Sequence, residues 1–233
     1  DARFTFEQTF EDLEGLYREY DIDKAALIGH SFGGMVASLF ADRFPERTAA
    51  VILVGAPVNL QESFAHIIAK SRTIYETRRD SANLQYLAML ETMDKSSLPY
   101  SSICFLHAMQ NGFYSPKNPT AEAKALYAAF RADTALVKYG SQMTPQPTQG
   151  FWQNEHYTTL DMTATLQSLT TKGVPLYGIY GKEDGLYSEQ QVMNLQALIG
   201  VPNLLYLDNC SHNVFIDQQS PFIEAITAYT SGL

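Results

Sequence analysis

The sequence predicts an α/β fold: a mostly parallel sheet with helices on both faces and a helical block inserted into it. Three observations lead there. Short, continuously apolar runs alternate with amphipathic helical patterns near both ends of the chain, as buried parallel strands joined by helices do. A long middle stretch is helical and aromatic, with no comparable apolar run. The 233 residues can bury one substantial core, and 45% hydrophobic with 18% charged residues is an ordinary globular composition.

Taken in order, Phe6, Phe10, Leu13, Tyr17 and Tyr20 recur at helical spacing and predict an opening helix. Thr5 followed by Gln8 fits a capping box at its start. Ala25-Ala26-Leu27-Ile28-Gly29 reads as a buried strand, 32–44 as a helix stopped by Pro45, and 49–55 as a second strand. Between 58 and 172 the pattern predicts helices over 60–79, 83–93 and 120–139. The stretch 141–157, with Pro145, Pro147, Gly150 and Trp152, reads as an irregular loop. Alternation then resumes with a strand over 174–180 and a polar turn through Gly185. A helix over 187–199 follows, with Ser188 and Gln191 as a capping box and Gly200 at its end. The last strand covers 204–207, and Ser220-Pro221 opens a closing helix. The core is thus expected from 1–57 and 173–233, with 58–172 as a helical insertion.

A net charge of -9 argues against nucleic acid or an anionic membrane surface as partner, since both require clustered Lys and Arg. No apolar run approaches the roughly 20 residues of a membrane span. Cys104 and Cys210 are too sparse for a disulfide scaffold or a zinc site, and two free thiols are expected. A soluble protein is anticipated, cytoplasmic ahead of periplasmic or secreted, although an opening Asp1 says little about compartment.

Gly29-His30-Ser31-Phe32-Gly33 matches G-x-S-x-G between a predicted strand and a predicted helix. In that context the serine occupies a strained turn that holds its oxygen out over the sheet edge. An ordinary glycine-rich turn with an N-capping serine is the plainer alternative. Serine needs a base to remove its proton. Of five histidines, His212 alone follows the last strand, where a loop returns to the carboxyl edge of the sheet. His30 is expected as a structural or pocket-lining neighbour, and His66, His107 and His156 as surface or packing residues. The acid should fall between serine and histidine; Asp184 is preferred over Glu183, with Asp208 a distant third. A plain turn aspartate beside Gly185 is the alternative for Asp184.

Gly29-His30-Ser31-Phe32-Gly33-Gly34, Gly181-x-x-Asp184 and Ser211-His212 resemble the three signature segments of α/β-hydrolases, and the resemblance runs along essentially the whole chain. It implies that 58–172 caps the active site. Four strands normally precede the opening helix in that family, and a loop after the third supplies an oxyanion donor; neither appears here. A bare apolar edge on 25–29 would be an aggregation hazard. An amino-terminal portion, or a companion chain completing the sheet, is therefore expected.

The expected function is a serine hydrolase acting on an ester or amide of a small to medium, partly apolar substrate. Ser31 would be acylated, His212 the base, Asp184 its orienting acid and the Phe32 N–H an oxyanion donor. No metal or organic cofactor is expected. His30 and Trp152 are candidates for the substrate pocket. A prolyl-aminopeptidase-type enzyme cleaving short peptides is the nearest rival; it needs a cap carboxylate, for which Glu62, Glu76, Glu91 and Glu155 are available. A non-catalytic binding protein of the same fold is the alternative from a different class. Ser31 argues against epoxide hydrolases and haloalkane dehalogenases, which resemble this pattern but carry Asp at that position.

Overall fold

A computed structural model describes residues 3–232. At its centre lie four parallel strands, β1 (Ala25–His30), β2 (Thr48–Val54), β3 (Leu176–Gly181) and β4 (Leu204–Leu207), in that spatial order. Because all four run the same way, their carboxyl ends share one edge of the sheet. Residues that follow β1, β3 and β4 are thereby brought together, although far apart in sequence.

Side chains alternate across β2 and feed two separate cores. Val51 and Leu53 pack into the larger one with Met35, Phe40, Leu166 and Leu169. Ile52 and Val54 pack into the other with Ile179, Val214 and Ala225. A strand covered on both faces has no polar side to show, which explains its unbroken apolar run. β1 is an edge strand among the described residues, and Ile28 on it is half exposed.

The helices before β2 are α1 (Phe6–Glu19) and α2 (Phe32–Arg43). The stripe on α1 buries Phe6, Phe10 and Tyr17, whereas Tyr20 is the exposed C-cap. Only half of the expected capping box forms. Thr5 Oγ1 accepts from the Gln8 N–H at 3.1 Å, but the Gln8 side chain turns to Asp12 instead. The second expected box, Ser188 with Gln191, forms completely.

Seven helices lie between β2 and β3: α3 (Leu60–Arg78), α4 (Ser81–Glu91), α5 (Leu98–Gln110), α6 (Ala121–Ala132), α7 (Thr134–Gly140), α8 (Gln146–Glu155) and α9 (Thr163–Thr171). The stretch 141–157 is not an irregular loop throughout, since α8 occupies most of it. The helix expected over 120–139 breaks at Asp133, whose carboxylate caps α7 by accepting from the Leu136 N–H at 2.8 Å. The two ends of the excursion meet where the Met162 N–H donates to Val58 O at 2.8 Å and Asn59 bridges Asp161. After that closure α9 packs on α2 and β3, so the sheet-covering layer resumes before residue 172. The chain closes with α10 (Glu189–Ile199), α11 (Val214–Asp217) and α12 (Gln219–Thr230). Cys104 and Cys210 are free and buried, and no described helix is long and apolar enough to cross a membrane.

The insertion has its own buried polar knot. Asn111 Nδ2 donates to Tyr75 Oη at 2.9 Å, and the Tyr75 hydroxyl is hydrogen-bonded to His107 Nδ1, 2.8 Å away. A second ring proton would place a charge inside this buried knot, so burial favours neutral His107. Burial holds His30, His66 and His107 all below the ordinary histidine value of 6.5. The unfolded chain therefore binds more protons than the native one below that value. Their contribution to stability is present above pH 6.5 and is lost as pH falls. Urea-unfolding midpoints should drop between pH 7.5 and 5.5, roughly the window in which histidine charges, and less steeply in His107→Gln; an equal slope in the variant would contradict this assignment.

Candidate active site

Ser31 ends β1 and starts α2 with φ +53° and ψ -125°. A side-chain-bearing residue held there costs of order 1–3 kcal/mol and persists only where its surroundings enforce it. Here the Ser31 N–H donates to Val54 O at 3.0 Å, and the Gly34 N–H donates to Ser31 O at 2.9 Å. The glycines around it are not equivalent. A Cβ on Gly29 would stand 2.4 Å from Gly34 Cα, and one on Gly34 would stand 2.3 Å from Ala56 Cβ. At Gly33 a Cβ would meet nothing within 4 Å. The close approach thus depends on Gly29 and Gly34. Phe32, the first residue of α2, has an N–H without an intrahelical acceptor, directed at the same edge.

His212 lies in the loop after β4 and is buried. Its Nδ1 is 2.9 Å from Asp184 Oδ2. The other carboxylate oxygen of Asp184 accepts from the Leu186 N–H at 2.9 Å, which fixes the side chain's orientation. Asp184 is 4% exposed, so the bond is shielded from water. The rival acids are engaged elsewhere: Glu183 accepts from the Lys117 N–H at 2.5 Å, and Asp208 pairs with Lys182 at 2.9 Å on the surface. Gly181 allows the contact between acid strand and histidine loop, since a Cβ there would lie 2.3 Å from Cys210 O.

The expected pocket residues need correction. The cavity that Ser31 opens onto holds about 330 Å³ and is lined by Phe32, Met35, Phe105, Tyr114, Phe151 and Tyr187, among others. Neither His30 nor Trp152 lines it. Trp152 packs half-buried on the main core outside the cavity, its Nε1–H donating to Ser96 O at 2.7 Å, and its neighbour Phe151 enters the cavity against Phe32. His30 stands behind the histidine loop, its ring 4.8 Å from the His212 ring and Nε2 3.0 Å from His212 O. A carbonyl only accepts, so His30 carries its proton on Nε2. Burial, then the charge of His212, depresses its pKa. It holds the loop from the β1 side.

Of the cap glutamates, Glu62 and Glu76 are exposed, Glu91 pairs with Arg72, and Glu155 accepts from the Phe6 N–H at 2.8 Å. None lines the Ser31 cavity. Among the described residues no group of three or more His, Cys, Asp or Glu is placed to hold a metal ion.

Two residues escaped the sequence reading. Asp217, 1% exposed, accepts from the Ser211 N–H at 2.7 Å and from the Tyr127 hydroxyl at 2.9 Å, and so anchors the histidine loop to α6. Tyr114 packs edge-on against His212, ring centres 5.3 Å apart. An aspartate five positions after a histidine has many plainer explanations, and a tyrosine in an insertion carries no motif at all.

This geometry, a strained serine and a buried His–Asp pair on turns at one edge of the parallel sheet, coincides with a family match. A family model for the alpha/beta hydrolase fold matches residues 1–219. The chain belongs to the α/β-hydrolase fold family. Solved α/β-hydrolase structures resemble it over nearly its whole length. They include MGS-M2 from a Medee basin deep-sea metagenome library, at TM-score 0.60 and 15% identity, covering 100% of this chain and 74% of that one. A proline iminopeptidase-related protein from Thermus thermophilus gives TM-score 0.61 and 20% identity, covering 97% and 70%. A bromoperoxidase from Bacillus anthracis gives 0.62 and 17%, covering 99% and 75%. At these identities the likeness is one of fold. Human Protein ABHD8 is 32% identical over 68 residues, which span 28% of this chain and only 16% of that protein.

The strand-to-helix turn at Ser31 predicts a contrast among its three glycines. Gly29→Ala and Gly34→Ala should each lower unfolding stability by about 1–3 kcal/mol or more through overpacking. Gly33→Ala should be neutral or stabilising by about 0.5–1 kcal/mol, as Gly to Ala in a helix is. Thermal unfolding of the three variants checks this, and equal losses would contradict it.

Proposed function

We propose that the protein is a serine hydrolase cleaving an ester or amide of a small to medium, partly apolar acyl group, through an acyl-enzyme on Ser31. The observation that carries this reading is the shielded His212–Asp184 hydrogen bond at the sheet edge on which Ser31 sits. Asp184, as acceptor at Nδ1, selects the tautomer whose free Nε2 can take a proton. Ser31 then attacks the acyl carbonyl while Nε2 receives its hydrogen, and Asp184 steadies the imidazolium. The Phe32 N–H, at the positive end of α2, donates to the developing oxyanion. A second donor belongs beside the open edge of β1, where the proposal places a further strand-bearing segment or companion chain. The imidazolium returns its proton to the leaving group, and water repeats the sequence to release the acid.

The cavity supports a neutral, partly apolar acyl group, because aromatic and aliphatic side chains dominate its wall. A peptidase that selects a free α-amino group needs a counter-charge beside it, and none of the four cap glutamates reaches the cavity. The ester reading is preferred on that ground. A binding protein of this fold would have no use for a shielded His–Asp pair beside a strained serine.

A fluorophosphonate probe should label the full-length native protein, and Ser31→Ala should abolish labelling. A p-nitrophenyl acyl ester should be hydrolysed and proline p-nitroanilide left intact. Labelling that survives Ser31→Ala would overturn the serine assignment, and the reverse substrate preference would restore the aminopeptidase reading.

A further inference from the structure

The segment joining α5 to α6 has no part in the mechanism above, yet it is tied to both active-site loops. The Gly185 N–H of the acid turn donates to Phe113 O at 2.9 Å. Ser211 Oγ of the histidine loop lies 2.7 Å from Tyr114 O and 2.8 Å from Asp217 Oδ2, its one hydrogen shared between two acceptors. The Lys117 N–H donates to Glu183 Oε2 at 2.5 Å. These tethers, from residues on either side of Tyr114 as well as its own carbonyl, hold it in register with the catalytic loops and set its ring against His212.

Tyr114 lines the same cavity as Ser31. Its hydroxyl has no protein partner among the described residues. That separates it from Tyr187, which lines the cavity too but donates to Gly55 O at 2.8 Å, and from Tyr127, which donates to Asp217. Burial raises the Tyr114 pKa to about 12, so the group stays a neutral donor throughout the working range of a histidine base. The donor for the acyl oxygen sits at the start of α2, on the β1 side of the site. Tyr114 stands instead over the imidazole, the group that returns a proton to the departing atom.

We propose that the Tyr114 hydroxyl donates a hydrogen bond to the leaving-group oxygen or nitrogen of the bound substrate, which favours alkyl esters and amides over activated aryl esters. The inference rests on the acyl-enzyme reading above. As the Ser31 oxygen bonds to the acyl carbon and the bond to the leaving atom breaks, His212 passes the former serine proton to that atom. Tyr114 keeps its own hydrogen and stabilises the charge that accumulates there. A poor leaving group carries more of that charge in the transition state than p-nitrophenolate and depends more on the donor.

The test compares the full-length native protein with Tyr114→Phe, which keeps the ring against His212 and removes only a hydroxyl without a protein partner. Fluorophosphonate titration first counts reactive Ser31 in each. Then kcat/KM is measured for p-nitrophenyl, phenyl and ethyl esters of one acyl group. The variant should titrate fully and stay within about twofold on the p-nitrophenyl ester, yet lose about tenfold on the ethyl ester, the worth of one neutral hydrogen bond. An equal loss on all three esters, or no loss on any, overturns the inference while leaving the hydrolase reading in place. A variant that fails to titrate while the native protein does overturns it too, since the hydroxyl would then be structural. No titration in the native protein overturns the hydrolase reading and this inference with it.

Discussion

The hydrogen bond between His212 and Asp184 is the constraint around which the site is organised. Both partners are buried, and neither can turn to water if the other is lost. Removing one would leave a buried polar or charged group uncompensated, which costs far more than the net worth of the pair. The surroundings show the same demand. Leu186 occupies the free oxygen of Asp184, His30 holds the backbone of His212, and Asp217 anchors the loop one residue earlier. Two tethers on the histidine loop and one on the acid turn leave the imidazole little freedom.

The parallel sheet makes this arrangement possible and the insertion completes it. Four strands running one way deliver the serine, the acid and the histidine to the same edge without any of them being near in sequence. The excursion between β2 and β3 leaves and re-enters at one point, closed by Val58 and Met162. It can therefore vary in length without disturbing strand register. Its aromatic residues are unevenly used. Phe105, Tyr114 and Phe151 reach the cavity, while Trp152 is spent on a surface hydrogen bond. That division gives the Ser31 cavity largely apolar walls with a few polar hydroxyls.

Much of the core was legible in the sequence because its signals are local. β4 falls where its apolar run predicts, and the Ser188–Gln191 capping box forms as its spacing implies. The strain at Ser31 was also legible, since a strand, a turn and a helix in that order leave the serine little choice. The insertion was less so. Two prolines and a glycine within 141–157 suggest a loop, but Pro147 sits in the first turn of α8, where its missing N–H costs nothing. Helix α5 went unread because its chain mixes apolar and small polar residues without a clean stripe. The pocket was misread by one position: Phe151 and Trp152 are equally aromatic, and only tertiary packing decides which lines the cavity. Tyr114 had no sequence signal, because its importance comes from what its backbone is tied to.

The proton shared between residues 184 and 212 can be observed by proton NMR without any substrate. A proton bound between an imidazole Nδ1 and a buried carboxylate resonates far downfield of the amide region. The account predicts one such resonance in the native protein, absent from Asp184→Asn and present in both Glu183→Gln and Asp208→Asn. Its survival in Asp184→Asn, or its loss in either of the other variants, would contradict the central claim.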